Sequence, residues 1–147
     1  MARQLWKTIV VGVDGSKYAE SALDASIALA KCQGAKLIIA NVYPNPTVLG
    51  FLPPYAPQVP AEYESSVKTL LKKYEERAKS AGVEAESKVI GAWSNAGGAL
   101  IAEAGKYEDS VIVVGTRGFT GLKSTVLGSV AEYITKNSDR DVITIKC

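Results

Sequence analysis

The sequence has no histidine. That excludes Ser-His-Asp and Cys-His nucleophilic sites, HExxH zinc sites and any imidazole acid–base step. Cysteine is nearly as scarce: Cys32 and Cys147 are too few and too widely spaced for a zinc cluster or a disulfide framework. No apolar run approaches the length of a membrane span, and the run after the polar start, Met1 to Lys7, is too short for a signal sequence. One-sided charge is also missing. Seventeen basic against fifteen acidic residues leave +2, which does not point to a dedicated nucleic-acid binder. What remains is 147 residues, 47% of them apolar, enough for one compact domain over 1–147. The expectation is a cytoplasmic protein with no membrane and no nucleic-acid partner.

Residues 8–14 form a short β-branched apolar run, the pattern of a strand buried on both faces of a parallel sheet. Ser16 is a fitting N-cap. Ala19, Ala22, Leu23, Ile27 and Ala30 then keep helical spacing up to Gly34, and Cys32, late in that helix, reads as a small core residue. A second buried strand follows over 36–43. All six prolines lie within 44–60, among Val48, Leu49, Phe51, Leu52 and Tyr55, so this stretch predicts an irregular loop. It is either a packed surface loop or a lid or partner contact.

Helical spacing resumes from Glu62 to Ala81, with Gly82 as its stop; the mixed charges on its other face read as a solvated surface. Val83 to Ile90 alternates like a more exposed strand. A helix weakly started by Gly97-Gly98, a buried strand over 110–114, a helix using Val126, Leu127, Val130 and Ile134, and a strand over 142–145 complete the chain. Strict βα alternation predicts an α/β fold with a parallel sheet covered by helices on both faces.

Ligands of open α/β sheets sit beyond the carboxyl ends of the strands, where strand order reverses. The richest such segment runs from Gly115 to Ser129. Glycines leaving a buried strand let backbone N–H groups approach a phosphate, and Gly128-Ser129 falls in the first turn of a helix, where N–H groups and the dipole favour an anion. Arg117 and Lys123 could neutralise a polyphosphate. The alternative is a plain βα loop whose glycines only shape turns. Neither GxxxxGK[ST] nor GxGxxG occurs.

Gly115-x2-Gly118-x9-Gly128-Ser129 resembles the G-x2-G-x9-G-[ST] signature of ATP-binding universal stress proteins. Val11-Gly12-Val13-Asp14-Gly15-Ser16 and Leu127-Gly128-Ser129-Val130-Ala131-Glu132 are similar to that family as well, and the likeness spans essentially the whole chain. It implies a Rossmann-like, adenine-nucleotide-alpha-hydrolase-like sheet of five parallel strands in order 3-2-1-4-5. By resemblance, Gly12, Val13 and Asp14 would line the adenosine side and Val42 would contact adenine. Val114, Gly115, Thr116, Arg117 and Gly118 would follow the ribose and phosphates, and Gly128, Ser129 and Val130 would close over the phosphates. The ligand would be ATP or a related adenine nucleotide, with Mg²⁺ a fitting companion.

The family resemblance also implies a nucleotide-dependent regulatory or stress-survival switch, homodimeric through the last strand. The sequence of that strand, Val142 to Ile145, agrees: it lacks the charges or proline that protect a lone edge. Two departures stand out. Gly91-Ala92-Trp93-Ser94 occupies a place where the family often has Gly-x-Pro, and Arg140-Asp141 stands where a proline is common.

Enzymatic turnover is not expected, since Asp14 is the one carboxylate placed at the strand ends and no histidine can act as base. No catalytic residue and no metal ligand is assigned. A slow ATP hydrolase or phosphotransferase at the same cleft, or autophosphorylation on Ser129, Ser124 or Thr116, is the alternative. Asp14 itself could instead shape the turn before the first helix. A phosphoacceptor receiver fails for want of an acidic pair. A dimerisation-only protein is opposed by the intact glycine set.

Overall fold

The computed structural model describes residues 4–43, 61–91, 95–116 and 128–146. Within them, β1 (Thr8–Gly12), α1 (Lys17–Gln33), β2 (Lys36–Tyr43), α2 (Ala61–Ser80), β3 (Ala85–Gly91), α3 (Ala96–Ala104), β4 (Ser110–Gly115), α4 (Ser129–Asn137) and β5 (Asp141–Ile145) follow one another. The strands form one sheet in the order β3-β2-β1-β4-β5, all pairs parallel. Strand order reverses between β1 and β4. The expected α/β fold and strand order are therefore observed.

Strand alternation divides the apolar residues between two layers. Ile9, Val11, Leu37, Ile39, Val111 and Val113 face α1 and α2, together with Leu23, Leu71 and Tyr74. Val10, Ile38, Ala40, Ile112 and Val114 face α3 and α4, meeting Leu100, Ala104, Ala131 and Ile134. This explains the apolar runs within β1, β2 and β4: both faces are covered.

Several boundaries differ from expectation. β1 ends at Gly12 rather than at residue 14. Val13 still donates to the Ala40 carbonyl at 2.9 Å, but the Asp14 carboxylate accepts from Ser16 N at 2.9 Å and turns the chain into α1. β3 begins at Ala85, because Gly82 (φ 85°) and the Val83 N–H to Ala78 carbonyl bond keep the preceding residues in the end of α2. The α3 start comes from Asn95, whose side chain accepts from Gly98 N at 2.6 Å, and not from the glycine pair. Cys32 is exposed, correcting its placement in the core: the buried stripe of α1 passes through Ala19, Ala22, Leu23, Ser26, Ile27 and Ala30, and position 32 lies off that line. The proline-rich 44–60 stretch, Trp93 within 92–94, Val126 and Leu127 within 117–127, and Cys147 lie outside the described residues.

The two sheet edges differ chemically. On β3, Glu86 pairs with Lys36 (3.1 Å) and Lys88 (3.6 Å), and Lys88 reaches the buried Glu103 of α3 at 2.9 Å. On β5, only Asp141 at the start is charged; its carboxylate accepts from the Trp6 indole at 2.8 Å. Thr116 N donates to the Ile145 carbonyl, so Ile145 faces β4, and alternation turns the backbone groups of Val142 and Thr144 to the free edge.

Candidate functional site

The carboxyl ends of β1, β2 and β4 meet at the reversal of strand order. Gly12, Val42 and Val114 share the α3/α4 side of the sheet there. Val114 is buried and Val42 half-buried in that layer. Gly12 has little room of its own: a Cβ built on it would lie 2.8 Å from Leu100 Cδ1 and 3.4 Å from Val114 Cγ1. Gly12 therefore has a packing role that sequence spacing did not reveal.

After β1, Asp14, Gly15 and Ser16 form a closed turn. Asp14 Oδ1 takes the Ser16 N–H, Gly15 adopts φ 85°, and Ser16 Oγ caps α1 by accepting from Ala19 N at 3.2 Å. The turn reading of Asp14 is thus observed for one of its two oxygens.

After β4, the chain leaves through Gly115 and Thr116 and returns at Gly128. Gly128 N donates to the Thr116 carbonyl at 2.8 Å, which pins the start of α4 to the end of β4. Gly128 is the N-cap, with φ −60° and ψ 154° and no side chain to cap the helix. The first N–H groups of α4, those of Ser129, Val130 and Ala131, accordingly have no intrahelical acceptor and, among the described residues, no capping oxygen. By contrast, α1 and α3 are closed by the side chains of Ser16 and Asn95. Ser129 and Val130 are exposed. The structure thus brings together Gly12, Val13, Asp14, Val42, Val114, Gly115, Thr116, Gly128, Ser129 and Val130 at the strand ends. Arg117 and Gly118 lie outside the described residues.

Two residues that sequence reasoning missed also belong to this region. Asn41, buried on β2, donates through Nδ2 to the Val13 carbonyl at 3.0 Å, and Tyr63 of α2 donates to Asn41 Oδ1 at 2.6 Å. Burial holds the Tyr63 phenol above its ordinary range, with Tyr43 and Asp14 adding to the rise, so it remains a donor throughout the neutral range. The available signal was Asn41 itself, a polar residue interrupting an apolar strand.

Among the described residues, no cluster of three or more His, Cys, Asp or Glu could hold a metal ion, and no helix is long and apolar enough to cross a membrane.

The sequence model of the universal stress protein family matches residues 5–146. The universal stress protein YxiE of Bacillus subtilis is 30% identical over 150 residues, covering 97% of this chain and 100% of the relative. A solved universal stress protein in complex with cAMP is 27% identical, with a TM-score of 0.72 over 97% of this chain and 98% of its own. The universal stress protein of Archaeoglobus fulgidus in complex with dAMP, 22% identical, superposes with a TM-score of 0.73 over 97% of this chain and 99% of its own, and shares the fold.

Proposed function

Because the chain belongs to the universal stress protein family, we propose that it binds an adenine nucleotide, ATP with Mg²⁺, across the strand ends at the β1/β4 reversal. In this reading it acts in the cytoplasm as a nucleotide-dependent regulator of stress survival, and not as a metabolic enzyme. The carrying observation is the open N-terminus of α4, pinned to the β4 end by the Gly128–Thr116 bond. Unpaired N–H groups and the positive end of a helix dipole suit a phosphate.

The backbone of Gly128 supports the same reading. Its φ and ψ are open to any residue, so the missing Cβ is not demanded by conformation. A close-approaching phosphate supplies a reason for it. Asp14 keeps one carboxylate oxygen outside its turn bond, and that oxygen is of the hard type that Mg²⁺ accepts. Mg²⁺ would supply charge neutralisation between phosphate oxygens. Binding in place of turnover is favoured by the strand ends themselves, where a single carboxylate stands and the chain has no histidine.

The same reading includes a homodimer through β5, whose outward backbone groups and uncharged residues 142–145 suit pairing with a second copy.

The deciding experiment is mass spectrometry of the small molecules released by acid from freshly purified protein, with thermal shift on adding ATP-Mg²⁺. Stoichiometric adenine nucleotide, or a clear stabilisation, is expected. An empty protein with no shift overturns the reading. Phosphate release at a steady rate, abolished by Asp14→Ala, would overturn the non-enzymatic part alone.

A further inference from the structure

Tyr63, in the first turn of α2, holds the ends of two strands at once. Its hydroxyl donates to Asn41, which in turn donates to the Val13 carbonyl. Its ring meets Tyr43 edge-on, with centroids 4.6 Å apart and planes at 63°. Asn41 and Tyr43 are the two neighbours of Val42 on β2. Strand alternation places both on the α1/α2 side while Val42 faces the opposite layer. One side chain on the far side of the sheet thus fixes both residues that flank Val42.

The same chain of bonds sets a peptide plane just past the end of β1. Val13 directs its N–H to Ala40 and its carbonyl to Asn41, both on the β2 side. Across a planar trans peptide the carbonyl of one residue and the N–H of the next point in opposite directions. The Asp14 N–H is therefore turned toward β4, where strand order reverses. Asn41 is only 4% exposed, so water does not substitute readily for its partners.

We propose that Tyr63 is a positioning residue for the base-recognising end of the cleft, setting through Asn41 and Tyr43 the backbone of Val42 and the Val13–Asp14 peptide that meet the adenosine. This rests on the adenine-nucleotide reading of the preceding subsection, with the adenosine at Val42 and the Val13–Asp14 turn as the family resemblance implies. The chemistry is directional. An adenine edge offers donors and acceptors at fixed angles, so a peptide free to rock loses discrimination between bases as well as affinity.

The test is calorimetric titration of ATP and GTP into the full-length protein, its Tyr63→Phe variant, Asn41→Ala and the double variant. Tyr63→Phe keeps the ring on Tyr43 and removes only the hydroxyl. The expected result is ATP binding weakened by about two- to tenfold with GTP less affected, so that the ATP/GTP ratio narrows. The double variant should lose no more than Asn41→Ala alone, because both substitutions break one chain of bonds. Unchanged ATP affinity in Tyr63→Phe overturns the proposal. An equal loss for both nucleotides does so too, since it would mean general loosening. A wild-type protein that binds no adenine nucleotide removes the premise, and the wild-type titration alone identifies that failure.

Discussion

Leu100 occupies the space that a side chain at Gly12 would need: a Cβ there would sit 2.8 Å from Leu100 Cδ1. Leu100 is itself 2% exposed and cannot swing into solvent. Gly12→Val should therefore destabilise by about 1–3 kcal/mol, as overpacking does, measured by urea unfolding. Adding Leu100→Ala to it should restore part of that loss, because the new methyl groups fill the vacated volume. A simple sum of the two single losses would show that the contact does not set the cost.

Gly128 presents the opposite case. Its φ −60° and ψ 154° are accessible to a branched residue, so Gly128→Val should fold. Its stability should fall by no more than about 1 kcal/mol, reflecting the poorer N-cap. Nucleotide binding should be lost, read by the disappearance of the ATP-induced thermal shift. Retained affinity would place the phosphate elsewhere.

Glu103 gives a pH prediction. Burial raises its carboxyl pKa, but hydrogen bonds from Lys88, Lys106 and Tyr107 outweigh burial and hold it below its ordinary value of 4.5. A depressed folded-state value contributes stability that is complete above the unfolded value and is lost as pH falls through the folded one. Wild-type stability should accordingly decline below pH 4.5, and Glu103→Gln should flatten that decline. Glu103→Ala, which removes the buried acceptor of Lys88, Lys106 and Tyr107 while Glu86 still pairs with Lys88, should cost about 2 kcal/mol at neutral pH, measured by denaturant titration.

Asn95 is the cap on which α3 depends. The helix has nine residues, two of them glycine near its start, so its intrinsic propensity is poor. Asn95→Ala should lower stability by about 1–2 kcal/mol and speed amide exchange at Gly98, the donor to the cap. Unaltered exchange there would show that tertiary packing alone holds the turn.

On β5, Thr144→Pro removes an N–H that alternation turns away from β4, sparing the internal ladder. The variant should sediment as a monomer while keeping its far-ultraviolet circular dichroism. A dimer that persists would locate the interface elsewhere.

The order of elements was legible because the physical cause is local. Apolar runs such as 36–43 demand cover on both faces, and Ser16 and Gly34 bracket α1 by their own chemistry. The reversal between β1 and β4 is implied only by the family resemblance, since pairing order depends on contacts distant in sequence. Cys32 is exposed because its angle on α1 lies off the buried stripe, a constraint that the general tendency of cysteine to be buried does not carry. In the site, the glycine spacing of 115, 118 and 128 was visible at once. Tyr63 and Leu100 were not, because each acts on a strand far away in the chain. Asn41 stands out in the sequence as a polar residue within an apolar strand, but nothing local points to its partner Tyr63.

The sheet has one border crossed by ion pairs, at Glu86 and Lys88, and one that is chemically bare, at residues 142–145. In the proposed dimer through β5, such a sheet would act as a connector with a valence of one. Two bare borders would let copies add without end, as in a fibre, whereas a single one is used up when two copies meet. In that dimer the charges on β3 would bear on solubility as much as on stability: neutralising both Glu86 and Lys88 would raise the valence to two and let a terminating contact propagate.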